Sequence, residues 1–269
     1  RTFNGQLFRL DEHLERLERS LEIVWVETGL DRAAWIALAE EVVDRNRENQ
    51  EAADDMGLAI WVTPGPYPKY AEFTELGPVV CCHAQPVDFA RFHRLYGDGQ
   101  RLVVTPTRQV SPLNWPVELK CRSRMHYFLA DKEANVTDPG ARALLLDLDG
   151  FVCDSTTANV IVFFESEGLV APRREKTLPG ISLGAVDDLA RQLDIPFTYR
   201  DMTAKEIARA DEIMLTSTSP CIWPVAQLDG KPVGSGKPGP VFAQLINAWS
   251  KLVGVDIAAQ AARFSNRLR

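Results

Sequence analysis

The sequence has no long hydrophobic run and no excess of positive charge. Its apolar segments, such as residues 160–164, have the length of a strand, whereas a helix that crosses a bilayer needs about 20 apolar residues. Its 37 acidic residues outnumber its 30 basic residues, which gives a formal net charge of -7. That charge disfavours binding to the phosphates of nucleic acids or to an anionic membrane. The sequence therefore predicts neither a membrane span nor a nucleic-acid partner.

Cysteine and histidine are scarce, and neither has the spacing of a metal site. The five cysteines are an odd number, and Cys81 and Cys82 are adjacent, which fits neither a disulfide framework nor a CxxC metal motif. None of the four histidines has metal-ligand spacing. We therefore expect reduced, buried thiols, a cytoplasmic location and no catalytic metal.

The first part of the chain has the pattern of a small α+β domain over residues 1–110. Residues 1–5 contain neither an initiator methionine nor a signal-peptide pattern, so we expect residues to be missing ahead of Arg1. Asn4-Gly5 between apolar positions predicts a hairpin. Polar caps and apolar spacing predict helices that begin at Asp11 and that run from Asp31 to about Asn49, with strands at 58–62, 78–84 and 101–105.

A second domain is expected at residues 120–269, after a proline-containing linker at 111–119. Apolar periodicity and glycine turns predict helices at 123–135, 182–193, 203–210 and 240–253, with strands at 143–147, 151–153, 159–165, 169–171, 197–200, 212–216, 222–228 and 231–233. The sequence thus predicts an α+β fold with two domains.

A lone lysine and a later aspartate suggest chemistry in the second domain. Lys120 follows the linker, and Asp154 lies in a glycine-led block at 150–159, after a polar helix and an apolar strand. A pyridoxal phosphate enzyme needs a reactive amine for the aldehyde and a buried carboxylate that keeps the ring nitrogen protonated. The alternative is that Lys120 is a solvated surface side chain.

Two later segments have features of anion sites. Gly180 precedes a predicted helix start at Ile181-Ser182, where the first backbone amides lack partners within the helix. Four adjacent hydroxyls follow a predicted strand at Thr216-Ser217-Thr218-Ser219, and hydroxyls suit phosphate and carboxylate groups. The alternatives are a simple loop with a serine cap and an ordinary polar turn.

Taken together, these segments make the chain resemble the class IV aminotransferases, which are fold-type IV pyridoxal phosphate enzymes. This family includes branched-chain and D-amino acid aminotransferases and aminodeoxychorismate lyase. The resemblance covers nearly the whole chain, in the family's order and with similar separations. It rests on His13-Leu14-Glu15-Arg16-Leu17, Lys120, residues 150–159, Leu178-Pro179-Gly180-Ile181-Ser182, Ala210-Asp211-Glu212, Thr216-Ser217-Thr218-Ser219 and Pro224-Val225.

The resemblance implies a role for each matching residue. It makes Lys120 the Schiff-base lysine and Arg16 the phosphate-binding arginine, although an ion pair of Arg16 with Glu12 on the helix surface is the alternative. Further implied phosphate ligands are the backbone amides of Ile181 and Ser182 and the Thr218 hydroxyl. Ser217 and Ser219 are implied to line the pocket for the substrate carboxylate.

Asp154 departs from the family pattern, which has glutamate at the position that contacts the pyridine nitrogen. An aspartate keeps an acid there but is one methylene shorter, so the ring must sit deeper or a water must intervene. The alternative is an exposed aspartate at a strand end, with another group serving the ring.

The residues after Lys120 also depart from the branched-chain pattern, which is small and glycine-rich there. Cys121-Arg122-Ser123-Arg124-Met125 is closer to the lyase, and so is Ala158-Asn159, whereas the hydroxyl cluster at 216–219 is similar to the transaminases. Arg122 and Arg124 are candidates for binding a second substrate carboxylate, and solvated helix arginines are the alternative.

The resemblance also implies a fold, a reaction and an assembly. It implies a small N-terminal domain and a larger β-barrel-like C-terminal domain with flanking helices, in a homodimer. The implied reaction is ping-pong transamination between a branched-chain-like amino acid and a 2-oxo acid, with pyridoxal 5′-phosphate as the cofactor. The alternatives are a lyase that releases pyruvate and a degenerate homologue that binds the cofactor without turnover.

Overall fold

The computed structural model describes residues 1–48, 50–51, 53–66 and 77–266. The contacts group the chain into two compact units, Arg1–Val87 and Asp88–Arg269. This division comes earlier than the predicted limit at 110, because residues 89–104 form a helix and a strand that pack within the second unit. The predicted linker at 111–119 therefore lies inside the second unit.

The described residues of the first unit form two helices, one hairpin and one further antiparallel pair of strands. Asn4 and Gly5 have φ values of 51° and 77°, the left-handed conformation that a two-residue hairpin turn needs, so the predicted hairpin is confirmed. Trp35, Ala39 and Val43 recur at helical spacing and form the buried face of the second helix. The elements are β1 (Thr2–Phe3), β2 (Gln6–Leu7), α1 (Leu10–Ile23), α2 (Arg32–Arg47), β3 (Met56–Thr63) and β4 (Val79–Pro86).

The second unit is built on one large mixed sheet. Its strands are β5 (Gln100–Val104), β6 (Arg142–Leu146), β7 (Val152–Ser155), β8 (Ala158–Phe164), β9 (Gly168–Ala171), β10 (Phe197–Tyr199), β11 (Glu212–Ser217), β12 (Cys221–Leu228) and β13 (Lys231–Pro232). The sheet order is β10-β9-β8-β11-β12-β5-β6-β7, and β7 pairs with β8 as well. This last pairing closes β8, β11, β12, β5, β6 and β7 into a ring, which confirms the predicted barrel-like architecture.

Helices flank this barrel-like sheet. They are α3 (Phe89–Asp98), α4 (Met125–Thr137), α5 (Ile181–Gln192), α6 (Ala204–Ile207), α7 (Pro240–Val253) and α8 (Ile257–Arg263). The helix α4 packs on the sheet through Ala130 and Ala134, which are fully buried against Val103 and Leu145. The small side chains allow the helix backbone to approach the strands closely.

Several local predictions need correction. The sequence did not predict α3 or α8, although Asp88 and Asp256 accept hydrogen bonds from the amides of Arg91 and Ala259 as ordinary caps do. Asp11 is not a cap, because α1 begins at Leu10 after Arg9, whose left-handed conformation ends the hairpin. Of the other predicted helices, α2 ends at Arg47, and Asn49 lies outside the described residues.

Two general properties follow from the described residues. Within them, no helix has both the length and the apolar character that a membrane crossing requires. The five cysteines are free thiols, as predicted, but only Cys153 and Cys221 are buried.

Candidate active site

The hairpin of β7 and β8 places Asp154 directly opposite Asn159. The register pairs Asp154 with Asn159 and Ser155 with Ala158, so Thr156 and Thr157 form the turn. Thr157 has a φ of 61°, in the left-handed region that a tight turn requires. Arg142 holds this turn by donating hydrogen bonds to the Thr156 carbonyl and to Thr157 Oγ1, the latter at 2.9 Å. The turn therefore fixes the two polar side chains side by side.

Asp154 is a buried carboxylate whose hydrogen-bond donors are neutral. Its residue exposure is 2%, so the alternative of an exposed strand-end aspartate is wrong. Asn159 Nδ2 donates to Asp154 Oδ1 at 3.0 Å, Gln109 Nε2 donates to Oδ2 at 3.2 Å, and the Leu178 amide also donates to the carboxylate. Burial raises the pKa of Asp154 to about 7, against the lowering effects of these donors and of the Lys120 charge.

Gln109 joins Asp154 to Tyr127, a partly buried tyrosine of α4. Its Nε2 donates to Tyr127 Oη at 3.2 Å as well as to Asp154. Burial is the main cause that raises the pKa of Tyr127, and the Asp154 charge adds to it, so the phenol stays neutral at ordinary pH. Asp154 thus sits in a small, buried network of polar side chains.

Asn159 connects Asp154 to the start of α5. Its Nδ2 also donates to the Leu178 carbonyl at 2.9 Å. A Cβ atom at Gly180 would overlap Asn159 Oδ1, so only glycine fits immediately before the helix. Gly180 provides no side chain to cap α5, which leaves the first amides, including those of Ile181 and Ser182, without a capping acceptor.

The hydroxyl cluster forms a tight turn next to the same point. Thr216 is opposite Asn159 in the register of β11 and β8, and its hydroxyl donates to the Cys221 carbonyl at 2.6 Å. Cys221 has a φ of 61°, a strained conformation for a residue with a side chain. Ser217, at the end of β11, and Thr218 and Ser219, in the turn, are partly exposed. The structure therefore brings residues 216–219, Asn159 and the start of α5 to the ends of neighbouring strands.

Lys120 and the arginines after it lie on an irregular segment ahead of α4. Lys120 is exposed, and its charge lowers the pKa of Asp154, so the two predicted partners share an electrostatic environment. Arg122 is exposed, whereas Arg124 is partly buried and donates from Nε to the Cys121 carbonyl at 3.3 Å. Burial, followed by the Arg122 charge, lowers the pKa of Arg124.

Arg16 lies in α1 of the first unit, and the other predicted site residues lie in the second unit. Arg16 Nη2 is 3.4 Å from His13 Nδ1, and Glu12, its alternative partner, accepts a hydrogen bond from Arg9 at 3.2 Å. Burial lowers the pKa of Arg16 to about 10. Arg16 is partly exposed, and its role as an anion ligand stays a prediction.

The sequence interpretation missed Gln109, Tyr127 and the position of Asn159. Asn159 was within reach of prediction, because a two-residue turn at Thr156-Thr157 makes 154 and 159 cross-strand neighbours. Gln109 gave no such signal, because its contact with Asp154 depends on strands that come together across 45 residues.

Comparisons with known proteins give the family. A model of the family described as amino-transferase class IV matches residues 1–228. The D-alanine aminotransferase of Bacillus licheniformis is 27% identical over 243 residues, which are 90% of this chain and 81% of that protein. The branched-chain-amino-acid aminotransferase-like protein 1 of Arabidopsis thaliana is 29% identical over 261 residues. That match covers 94% of this chain but only 44% of the relative, so the chain spans less than half of that protein.

A solved structure shares the fold. The branched-chain amino acid aminotransferase from Thermobaculum terrenum, in its PLP form, superposes with a TM-score of 0.80 at 22% identity. The superposition covers 97% of this chain and 82% of that structure. With the family model, this likeness shows that the chain belongs to the class IV aminotransferases and has their fold.

Proposed function

We propose that this protein is a pyridoxal 5′-phosphate-dependent aminotransferase that moves an amino group between an amino acid and a 2-oxo acid. The observation that carries the proposal is Asp154, a buried carboxylate with neutral donors on both oxygens. Burial makes the ionised form of this side chain costly unless a cation lies beside it. A protonated ring nitrogen supplies that cation, so the residues present fit the cofactor.

The phosphate end of the cofactor has a suitable cradle in the second unit. The uncapped start of α5 offers the amides of Ile181 and Ser182, and a helix start favours a negative charge. The Thr218 hydroxyl belongs to the turn that follows β11. The role of Arg16 as the phosphate-binding arginine stays a prediction, and so do the roles of Ser217 and Ser219 in binding the substrate carboxylate.

Lys120 and Asp154 are proposed to have different roles in the reaction. Pyridoxal phosphate supplies an electron sink that stabilises the negative charge left when the substrate Cα loses a proton. With the cofactor bound, Lys120 Nζ would hold its aldehyde and would carry the proton that leaves the substrate Cα. Asp154 would keep the ring nitrogen protonated. In the second half-reaction, with a 2-oxo acid, the same residues would serve in the reverse direction.

The substrate is proposed to be a branched-chain-like amino acid. The name of the Arabidopsis thaliana relative and that of the solved structure support this choice, whereas the Bacillus licheniformis relative is named for D-alanine. The donor panel must therefore contain both stereoisomers. Acidic donors belong in it too, because the partly buried Arg124 is a candidate for binding a second carboxylate.

A homodimer is part of the proposal. On α4, Met125, Phe128, Leu129 and Val136 are exposed at 68%, 58%, 47% and 87%. They recur at helical spacing on one face, and an exposed apolar face of this kind is typical of a surface that a partner covers. A cytoplasmic location is proposed with it, in keeping with five free thiols.

The experiment is a half-reaction assay on protein loaded with pyridoxal phosphate. We expect the bound cofactor to change its absorbance when a donor from the panel is added and to recover it with 2-oxoglutarate. Lys120→Ala is expected to lower turnover about a thousandfold or more, because the proton carrier is lost. Lys205→Ala, at an exposed lysine of α6, is the matched control and should keep full turnover.

Each alternative has its own result in the same assay. Pyruvate release from an aminodeoxychorismate-like substrate without any acceptor would identify a lyase, as the residues after Lys120 suggested. Cofactor binding without turnover of any donor would identify a degenerate homologue. Full activity of Lys120→Ala would refute the proposed role of that lysine.

A further inference from the structure

Two hydrogen bonds fix the orientation of the Gln109 side chain. Its backbone amide donates to the Leu146 carbonyl at 2.9 Å, which ties it to the end of β6. Its Oε1 accepts from the Val110 amide at 2.9 Å. Because the oxygen is engaged in this way, the amide nitrogen points toward Asp154.

The orientation makes Gln109 a donor to both of its polar neighbours, Asp154 and Tyr127. Nε2 carries two hydrogens, and it donates to Asp154 Oδ2 and to Tyr127 Oη, each at 3.2 Å. A donor to a carboxylate favours its ionised form over its protonated form. On the other oxygen, Asn159 Nδ2 is oriented the same way, because it also donates to the Leu178 carbonyl.

The hydrogen bond from Gln109 matters because the Asp154 side chain is short. Asp154 is one methylene shorter than the glutamate of the family pattern, so its carboxylate cannot reach as far to find a partner. Gln109 and Asn159 hold one oxygen each, and together they fix the plane of the carboxylate. The other titratable groups around it are Lys120, Tyr127 and the Cys153 thiol.

We propose that Gln109 is a positioning residue, which fixes the plane of the Asp154 carboxylate and keeps it ionised toward the ring nitrogen of the cofactor. The proposal rests on the proposed function for the identity of the cation. The contact itself does not depend on the cofactor, so it can be tested on cofactor-free protein.

The first test measures the pH dependence of the thermal unfolding of cofactor-free protein. Protonation of Asp154 changes the stability of the folded state, so it contributes to this dependence. In Gln109→Met, which removes the donor at similar volume, the pH at which Asp154 titrates is expected to rise by about one unit. Gln192→Met, at an exposed glutamine of α5, is the control and should leave the profile unchanged. A Gln109→Met profile equal to that of the wild type would overturn the proposal.

The second test separates positioning from loop anchoring. On protein loaded with pyridoxal phosphate, Gln109→Met is expected to lower kcat/KM about tenfold or more. In an Asp154→Asn background the same substitution should have no further effect, since Gln109 acts through the carboxylate. An equal loss in both backgrounds would show that Gln109 only anchors its loop, and would refute the proposal.

A second variant keeps the proposal falsifiable if Gln109→Met does not fold. Gln109→Glu retains an acceptor for the Val110 amide but puts a second carboxylate against Asp154, so the pair should take up a proton near neutral pH. Absence of that proton uptake would refute the contact. Failure of every variant, wild type included, to bind pyridoxal phosphate would refute the proposed function and leave the cofactor-free titration standing.

Discussion

At the scale of the residue, folding makes Asp154 harder to ionise. Its pKa rises from 3.8 to about 7 because the carboxylate is buried. Between these two pH values the folded state binds more protons than the unfolded state, so the free energy of unfolding falls as the pH rises. The stability that the protonated form provides is fully present below about pH 4 and is lost as the pH rises through about 7.

This argument gives a prediction for Asp154→Asn in cofactor-free protein. The asparagine does not titrate, so the substitution should flatten the loss of stability between about pH 4 and pH 7 relative to the wild type. Thermal unfolding measured at a series of pH values in that window tests it. Parallel profiles of the two proteins would contradict the raised pKa of Asp154.

Single residues also show how much of the candidate site could be predicted from the sequence. Lys120 and Asp154 were singled out by their residue types, but their roles came from the family resemblance and stay predictions. Gln109 was not, because a glutamine in a loop has no pattern, and its partner becomes a neighbour only when β5, β6 and β7 pair.

At the scale of the element, Glu212 is the first residue of β11, and its side chain connects that strand to the start of α7. Its carboxylate oxygens accept from the amides of Val241 and Phe242 at 2.7 and 2.9 Å. Gly239 precedes the helix, and a Cβ atom there would overlap the Glu212 side chain. One carboxylate thus replaces the usual capping side chain and satisfies two amides of the first turn.

We expect Glu212→Gln to destabilise the fold by about 1–3 kcal/mol, because the neutral amide cannot accept from both buried N–H groups. Urea unfolding measures this change. Glu27→Gln, at an exposed position of the first unit, should have no effect and serves as the control. Equal midpoints for wild type and Glu212→Gln would show that the cap is not needed.

The elements differ in how well local sequence predicted them. The hairpin at Asn4-Gly5 and the helix starts at Asp31 and Thr203 were predicted, because turn and cap chemistry involves residues only a few positions apart. The helix α3 was missed although Phe89, Phe92 and Tyr96 have helical spacing. Closure of the sheet was expected only from the family resemblance, since strand order is not a local property.

At the scale of the whole molecule, the exposed face of α4 leads to a prediction about assembly. If Phe128 and Leu129 meet a second copy of the chain, a charge there must be buried without a partner, which is costly. We expect Phe128→Glu to shift the protein from dimer to monomer. Light scattering during size-exclusion chromatography gives the mass directly.

A substitution elsewhere on the surface controls for general effects. Leu252→Glu, at a position of α7 that is 48% exposed, should leave the mass unchanged. A monomeric wild type, or an unchanged mass in Phe128→Glu, would contradict an interface on α4.

The ring of strands has a consequence for how the chain is made. The strand β5 pairs with β12, and the Val104 amide donates to Asp229 across 125 residues. The ring therefore cannot close until nearly all of the second unit has been synthesised, and such long-range pairing slows folding. Until then the edges of β5 and β11 that pair with β12 stay unpaired on the nascent chain, and unpaired strand edges promote pairing with other chains.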